Sequence, residues 1–114
     1  MFKQTLTSIR PNKDVPFFHE AAEHAEIQEL RTSIRENNTQ LVLSRTVAIS
    51  SDELTFTNTL TYPDEAAFNT YVALVKSTVP NWPQVRNKYY KDNNHILIVE
   101  TKVQDKPPTV LFTI

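Results

Sequence analysis

Apolar and polar residues alternate with a period of two over residues 41–62, in two runs separated by a short polar segment. The apolar side of the first run consists of Leu41, Leu43, Val47 and Ile49. In the second run, threonines alternate with Leu54, Phe56, Leu60 and Tyr62. This alternation is typical of half-buried strands. The segment therefore predicts a β-hairpin with one apolar face.

The apolar pattern also predicts how the two arms pair. With Ser51 and Asp52 at the tip, every apolar residue of one arm lies opposite an apolar residue of the other. A slip of one residue would turn one apolar set toward solvent, so we expect this register to be specified strongly. It places Arg45 opposite Asn58, a polar pair on the apolar face.

The remaining pattern predicts further elements on both sides of the hairpin. They are a strand over Phe2–Ile9, a helix within 18–36, a helix from Asp64 to Pro80, a short helix over 83–91, a strand over 96–103 and a terminal strand over Thr109–Ile114. The apolar residues before and after His24 fall on opposite sides of a helix, so either the first helix is covered on both sides or it breaks there. We favour a break or a late start, with Phe17 and Phe18 anchoring the entry.

The order β-α-β-β-α-β predicts a single α+β domain over residues 1–114 with the split, or ferredoxin-like, arrangement. Right-handed crossovers place both helices on one face of an antiparallel sheet and leave the other face open. The strand over 96–103 begins with apolar residues on both faces. That composition predicts a central or well-covered position.

Composition excludes several classes of site. The chain has no glycine, so a glycine-rich phosphate-binding loop is impossible, and it has no cysteine for disulfides or thiolate ligands. A net charge of −1 disfavours a dedicated nucleic-acid binder. The segment Phe2–Ile9 lacks a long apolar run, so we expect neither a signal peptide nor a membrane span there.

The histidines do not predict a metal site. His19 and His24 are five residues apart, whereas a zinc-protease helix needs a spacing of four. We expect His19 to pair with Glu23 across a solvated helix turn and His95 to lie at the surface. No metal ligand or cofactor is predicted.

The segment from Trp82 to His95 has two interpretations. Its basic residues alternate with Tyr89 and Tyr90, as in surfaces that stack single-stranded bases. We favour a short amphipathic helix that packs Trp82 and Tyr89 inward and exposes its lysines.

Polar residues on the apolar side of the sheet form the candidate binding site. They are Arg45, Asn58, Gln4 and Glu100. A buried guanidinium needs a carboxylate or several acceptors, and Glu100 could supply one. The set predicts either a small anion or carbonyl site beneath the helices or, as we favour, a satisfied internal network. No arrangement of side chains predicts a catalytic centre.

A candidate interface lies on the opposite side of the sheet. It combines the open threonine column with the apolar residues of the terminal strand, namely Thr55, Thr57, Thr59, Val110, Phe112 and Ile114. Apolar groups on both sides of a short terminal strand need a sheet edge to cover them. We therefore expect a homo-oligomer.

The stretch Thr59-Leu-Thr-Tyr-Pro-Asp-Glu-Ala-Ala-Phe68, followed by a short helix before the last strand, resembles the dimeric α+β barrel group. That group includes proteins similar to antibiotic-biosynthesis monooxygenases, and the resemblance covers about residues 41–103. It implies paired sheets and, in some members, oxidation without a cofactor. No functional residue is carried over.

The opening Met-Phe-Lys-Gln-Thr-Leu-Thr-Ser-Ile-Arg-Pro-Asn, with Tyr-Pro-Asp-Glu-Ala-Ala-Phe, also resembles small proteins of marine tailed phages, especially cyanophages. That resemblance implies a location in the virion or the infected host's cytoplasm.

We therefore expect a non-catalytic, self-associating structural or interaction protein, with itself or other virion proteins as partners. The alternative is a small cofactor-free enzyme of the dimeric-barrel type. A solvent-reachable cavity lined by Arg45, Asn58 and Tyr71 favours the enzyme, and a filled core favours the interaction protein.

Overall fold

The structure is a computed structural model that describes residues 1–103. Its elements are β1 (Phe2–Ile9), α1 (Ala25–Glu36), β2 (Ser44–Ile49), β3 (Thr55–Tyr62), α2 (Glu65–Thr78), α3 (Trp82–Asp92) and β4 (Ile96–Val103). The predicted terminal strand, with Val110, Phe112 and Ile114, lies outside the described residues. No helix within residues 1–103 is long and apolar enough to cross a membrane.

The four strands form one antiparallel sheet in the order β2-β3-β1-β4. Phe2, Leu60 and Tyr62 lie on the same side of the sheet, where they join a core with Tyr71 of α2 and Tyr89 of α3. The other side carries the threonines of β3. The predicted ferredoxin-like α+β fold is confirmed.

The chain enters α1 through two short 3-10 turns, Phe18–Glu20 and Ala22–His24, and the α-helix begins only at Ala25. The predicted late start is therefore confirmed. Phe17 and Phe18, at 1% and 3% exposure, anchor the turns against the core. Their burial explains why the apolar residues before and after His24 did not follow one helical stripe.

Helix α2 begins where its cap predicted. The Asp64 side-chain Oδ1 accepts a hydrogen bond from the Ala67 backbone N–H at 2.8 Å. This bond satisfies one of the amides that the first turn leaves without a helical partner. The helix ends at Thr78, two residues before Pro80.

The hairpin register is shifted by two residues from the predicted one. Arg45 lies opposite Leu60, and Asn58 lies opposite Val47, so the predicted Arg45–Asn58 pair is wrong. The tip is longer than expected, because Ser50 N–H bonds to Thr55 O at 2.9 Å and Glu53 takes a left-handed φ of 61°. An even shift leaves every side chain on its predicted face. The face assignment is therefore right although the opposite neighbours are not.

Both edge strands are less covered than the sequence indicated. Ile49 of β2 is 54% exposed and Ile96 of β4 is 59% exposed, and Leu43 and Val47 are about half exposed. The prediction that β4 is central or well covered is wrong, since most of its residues are exposed and it is an edge of the sheet formed by residues 1–103. The core residues lie over the central strands, which leaves apolar side chains of both edges open.

Candidate functional site

Two cavities lie between the sheet and the helices. The α2 cavity, of about 180 Å³, is lined by Gln4, Leu6, Arg31, Asn58, Leu60, Tyr71, Val72, Val75, Lys76, Trp82, Pro83 and Arg86. The α1 cavity, of about 210 Å³, is lined by Leu6, Phe18, His19, Gln28, Arg31, Thr32, Arg35, Arg45, Phe56, Asn58, Trp82, Arg86 and Tyr90. Both are partly open to solvent. Their shared lining residues, Leu6, Arg31, Asn58, Trp82 and Arg86, make them neighbouring parts of one region.

The structure gathers three of the four predicted site residues around these cavities. Gln4 and Asn58 line the α2 cavity, and Asn58 and Arg45 line the α1 cavity. Glu100 does not join them, because it lies opposite Thr5 on the open face, where its Oε2 is 3.5 Å from Lys102 Nζ. The expectation that Glu100 shares the helix-facing side is wrong. Strand alternation places an even-numbered residue of β4 on the other side.

Asn58 places an amide in the floor of both cavities. Strand alternation sets it between Phe56 and Leu60 on the helix-facing side, and both of these neighbours are buried. Its Oδ1 is buried without a hydrogen-bond partner among the described residues, and so is the hydroxyl of Tyr71. Buried polar atoms are normally satisfied in folded proteins. The hydrogen-bonding capacity of these two atoms is therefore unused within the described residues.

Trp82 carries two guanidinium groups near its ring. The central guanidinium carbon of Arg31 lies 3.7 Å from the ring centroid, and that of Arg86 lies 5.4 Å away. Both distances are in the range of cation–π attraction. Burial lowers the pKa of Arg31 to about 10, while Tyr71 acts in the opposite direction. Arg31 stays protonated at neutral pH.

Sequence reasoning missed Arg31. The signal was present, since Arg31 is four residues after Ile27 and three before Ile34, on the apolar stripe of α1. A cation on such a stripe either extends to solvent or occupies a polar site within the core. The structure places it in the wall of both cavities.

The histidines lie in aromatic surroundings. The His19 ring stacks on Phe56 with centroids 4.3 Å apart. Glu23 does not pair with His19, because its Oε1 lies 3.7 Å from Nε2 of His24. The predicted His19–Glu23 pair is therefore wrong. Burial lowers the pKa of His19, with smaller lowering by Arg45 and Arg10 against the raising effect of Glu20.

His95 is not a surface residue of the kind expected. Its ring lies 5.1 Å from Tyr90 and 5.6 Å from Tyr89, measured between centroids, and both ring nitrogens are buried. Burial lowers its pKa, partly offset by the backbone at Asn93. The prediction of a surface histidine is wrong.

The segment from Trp82 to His95 supports the amphipathic-helix interpretation. Trp82, Tyr89 and Tyr90 are buried, whereas Lys88 and Lys91 are exposed. Because these rings face the interior, the outer surface of the helix presents no aromatic row for stacking single-stranded nucleic-acid bases.

The predicted interface residues within the described part of the chain lie on the open face. Thr55, Thr57 and Thr59 are half-buried, and the hydroxyl of Thr59 is 3.2 Å from that of Thr5 on the neighbouring strand. Hydroxyl pairs between strands satisfy some of this face internally.

No protein-family model matches the chain, and no curated protein sequence is significantly similar to it. Solved structures are similar in fold. A candidate antibiotic biosynthesis monooxygenase from Deinococcus radiodurans superposes with a TM-score of 0.53 at 18% identity, covering 98% of this chain and 100% of that chain. A dimeric ferredoxin-like protein from an uncultured marine organism gives 0.53 at 16% identity, covering 92% and 97%.

At these identities the likeness concerns the fold alone. It agrees with the resemblance to the dimeric α+β barrel group that the sequence indicated. The resemblance to phage proteins receives no support from the comparisons. The chain thus has the ferredoxin-like fold that is also found in a candidate antibiotic biosynthesis monooxygenase and in a dimeric protein.

Proposed function

We propose that the chain is a small enzyme of the dimeric α+β barrel type that oxidises an aromatic molecule without a cofactor, which is the alternative that its sequence raised; a candidate antibiotic biosynthesis monooxygenase shares its fold. The observation that carries this proposal is the partly open α2 cavity, whose wall combines the Trp82 ring with the buried, unpartnered Oδ1 of Asn58. The filled core that we expected of an interaction protein would not contain such a space. This proposal replaces the non-catalytic virion protein as the preferred function.

The walls of the α2 cavity suit a phenol. The Trp82 ring and Leu60 offer flat and apolar contacts, and the substrate O–H can donate to the unpartnered Asn58 Oδ1. The guanidinium groups of Arg31 and Arg86 border the same space. A cation next to the phenol stabilises the phenolate and so lowers the pKa of the substrate. A phenolate is a far better electron donor to oxygen than the neutral phenol.

A phenol with an activated methylene group supplies all the electrons that the reaction needs. The methylene carbon loses two hydrogens and gains one oxygen atom of O₂ as a carbonyl. The second oxygen atom leaves as water with those two hydrogens. Atoms and electrons balance without an external reductant. The protein's part is to hold the ring, stabilise the phenolate and keep the reacting carbon away from bulk water.

Self-association belongs to the same proposal. The open face presents Thr55, Thr57 and Thr59 together with the exposed Ile96 and Ile98. A second copy that places its own open face there would cover the two isoleucines. One protein of similar fold is described as dimeric, which supports a homodimer.

Oxygen uptake tests the enzyme proposal. Purified protein is mixed with 4-hydroxyphenylacetone, a one-ring phenol with an activated methylene group, and uptake is compared with the rate without protein. We expect protein-dependent uptake that falls at least tenfold in Asn58→Leu and in Arg86→Gln. Lys91→Gln is the matched control, because Lys91 is exposed on the same helix as Arg86. Uptake equal to the protein-free rate across a panel of such phenols, or full activity in both cavity variants, would contradict the proposal.

A further inference from the structure

The α1 cavity is surrounded by an unusual concentration of positive charge. The chain has five arginines, and four of them line this cavity: Arg31, Arg35, Arg45 and Arg86. Among the described residues, no aspartate or glutamate lines it. The chain as a whole carries a net charge of −1, so this cluster does not reflect a basic composition.

These four guanidinium groups come from three separate elements. Arg31 and Arg35 are one turn apart on α1, Arg86 is on α3 and Arg45 is on β2. Like charges four residues apart on a helix repel each other. The fold thus brings together four cations from three elements in spite of their mutual repulsion.

The described residues offer the cluster only neutral partners. Arg35 Nη2 donates to the Thr32 hydroxyl at 3.3 Å, and Arg86 Nε donates to Asn87 Oδ1 at 3.2 Å. The Arg31 and Arg45 side chains make no hydrogen bond or ion pair with the described part of the chain, and Arg31 Nε is buried. An arginine that is removed from water normally has a carboxylate or several acceptors.

The arginines also disfavour one another's charge. Burial is the main cause that lowers the pKa of Arg31, and Arg35 and Arg86 lower it further. Burial likewise lowers the pKa of Arg45, again with a contribution from Arg35. An anion between these groups would remove both penalties, because it supplies the missing charge and the missing acceptors.

We propose that the α1 cavity binds an oxyanion, carboxylate or phosphate, carried by a small aromatic ligand. The oxyanion lies among the guanidinium groups of Arg31, Arg35 and Arg45. The ring lies toward the shared wall formed by Trp82 and Asn58. Each cavity is smaller than the usual range of about 300–1,000 Å³ for ligand pockets, so the ligand has one or two rings. This inference rests on the proposed function in assigning the ring to the α2 cavity, and it names the class of substrate.

Titration calorimetry with three ligands of the same shape tests the inference. The ligands are 2-naphthoate, 2-naphthyl phosphate and the neutral 2-naphthamide. We expect at least one anion to bind at least tenfold more tightly than the amide, with an affinity that falls as salt rises. The preferred anion identifies a carboxylate or a phosphate as the natural group.

Substitutions locate the binding. Arg35→Gln and Arg45→Gln should each weaken the preferred anion about tenfold, which is about 1.4 kcal/mol, and leave amide binding unchanged. Arg45 is exposed and Arg35 is partly exposed, so these variants avoid Arg31, whose Nε is buried and whose loss could disturb folding. Lys91→Gln removes an exposed cation on α3 and should change nothing.

Equal affinity for the three ligands would overturn the inference, and so would failure of both anions to bind or unchanged anion affinity in both arginine variants. Oxygen uptake separates this outcome from the fate of the proposed function. If an anion binds tightly but no phenol gives protein-dependent oxygen uptake, the anion site is supported and the monooxygenase proposal is rejected. If oxygen is taken up but the anions bind no more tightly than the amide, the monooxygenase proposal is supported and the anion site is rejected.

Discussion

Asn58 and Arg31 each place a polar group among apolar neighbours, and together they define the chemistry of the cavities. Asn58 could be found from the sequence, because it interrupts the alternating pattern of β3. Arg45 was found in the same way on β2. The role of Arg31 depends on its packing against Trp82, which is 51 residues away along the chain. The local pattern shows that Arg31 lies on the apolar stripe of α1 but does not show which residue it contacts.

The two faces of β3 should differ sharply in stability. Phe56 is buried on the helix-facing side, against His19 and Phe17. Phe56→Ala should lower the free energy of unfolding by about 2–5 kcal/mol, because it leaves a cavity in the core. Thr57→Ala, on the open face of the same strand, should cost less than about 1 kcal/mol. Urea unfolding measures both, and equal losses would show that the faces are assigned wrongly.

His95 should make stability depend on pH. Its pKa in the folded state is lowered by burial and, to a smaller extent, by Arg10, so the unfolded chain binds the proton more readily. The stabilising contribution is therefore complete above the unfolded pKa of about 6.5 and is lost as the pH falls toward the folded pKa. His19 acts in the same direction.

The measurement is the difference in unfolding free energy between about pH 7.5 and pH 5, a range above most carboxylate titration. This difference should shrink in His95→Phe relative to the unaltered chain. A difference that stays the same would show that the proton binds equally well to the folded and unfolded states at His95.

At the scale of the element, local signals were sufficient for most boundaries. The alternation of β3, the late start of α1 and the Asp64 cap of α2 all act within a few residues. The hairpin register could not be predicted from local sequence. It depends on the conformation of the tip, where Glu53 takes a left-handed φ that is uncommon for residues other than glycine.

The cap of α2 can be tested with a matched pair of substitutions. Asp64→Ala removes the acceptor of the Ala67 N–H and should destabilise the protein by about 1 kcal/mol. Asp64→Asn keeps a side-chain oxygen at the same place and should cost much less, since asparagine caps helices about as well. Thermal or urea unfolding distinguishes them, and equal costs would mean that the charge rather than the cap is responsible.

At the scale of the whole molecule, the element order predicted the sheet, but coverage of its edges could not be read from the sequence. Ile96 and Ile49 look like core residues along the chain, yet both are exposed because the core lies over the central strands. The formation of the cavities likewise depends on how the three helices pack on the sheet. Neither the exposure of the edge strands nor the presence of the cavities can be predicted from a local sequence pattern.

Self-association should depend on residues 109–114 as well as on the open face. Their apolar side chains Val110, Phe112 and Ile114 predict a strand that adds to the sheet edge of a second copy. Deleting Thr109 to Ile114 should convert an oligomer into a monomer and leave the fold of residues 1–103 intact. Light scattering gives the mass of both chains, and circular dichroism checks the fold. A full-length monomer, or an oligomer that survives the deletion, would contradict this prediction.

If the space between the sheet and the helices is a ligand site, a crystal structure of the protein grown with 2-naphthoate should show electron density for the naphthalene ring beside Trp82 and Asn58. The carboxylate should be directed toward Arg35 and Arg45. A ligand bound elsewhere, or cavities that stay closed to it at saturating concentration, would show that this space is not the ligand site.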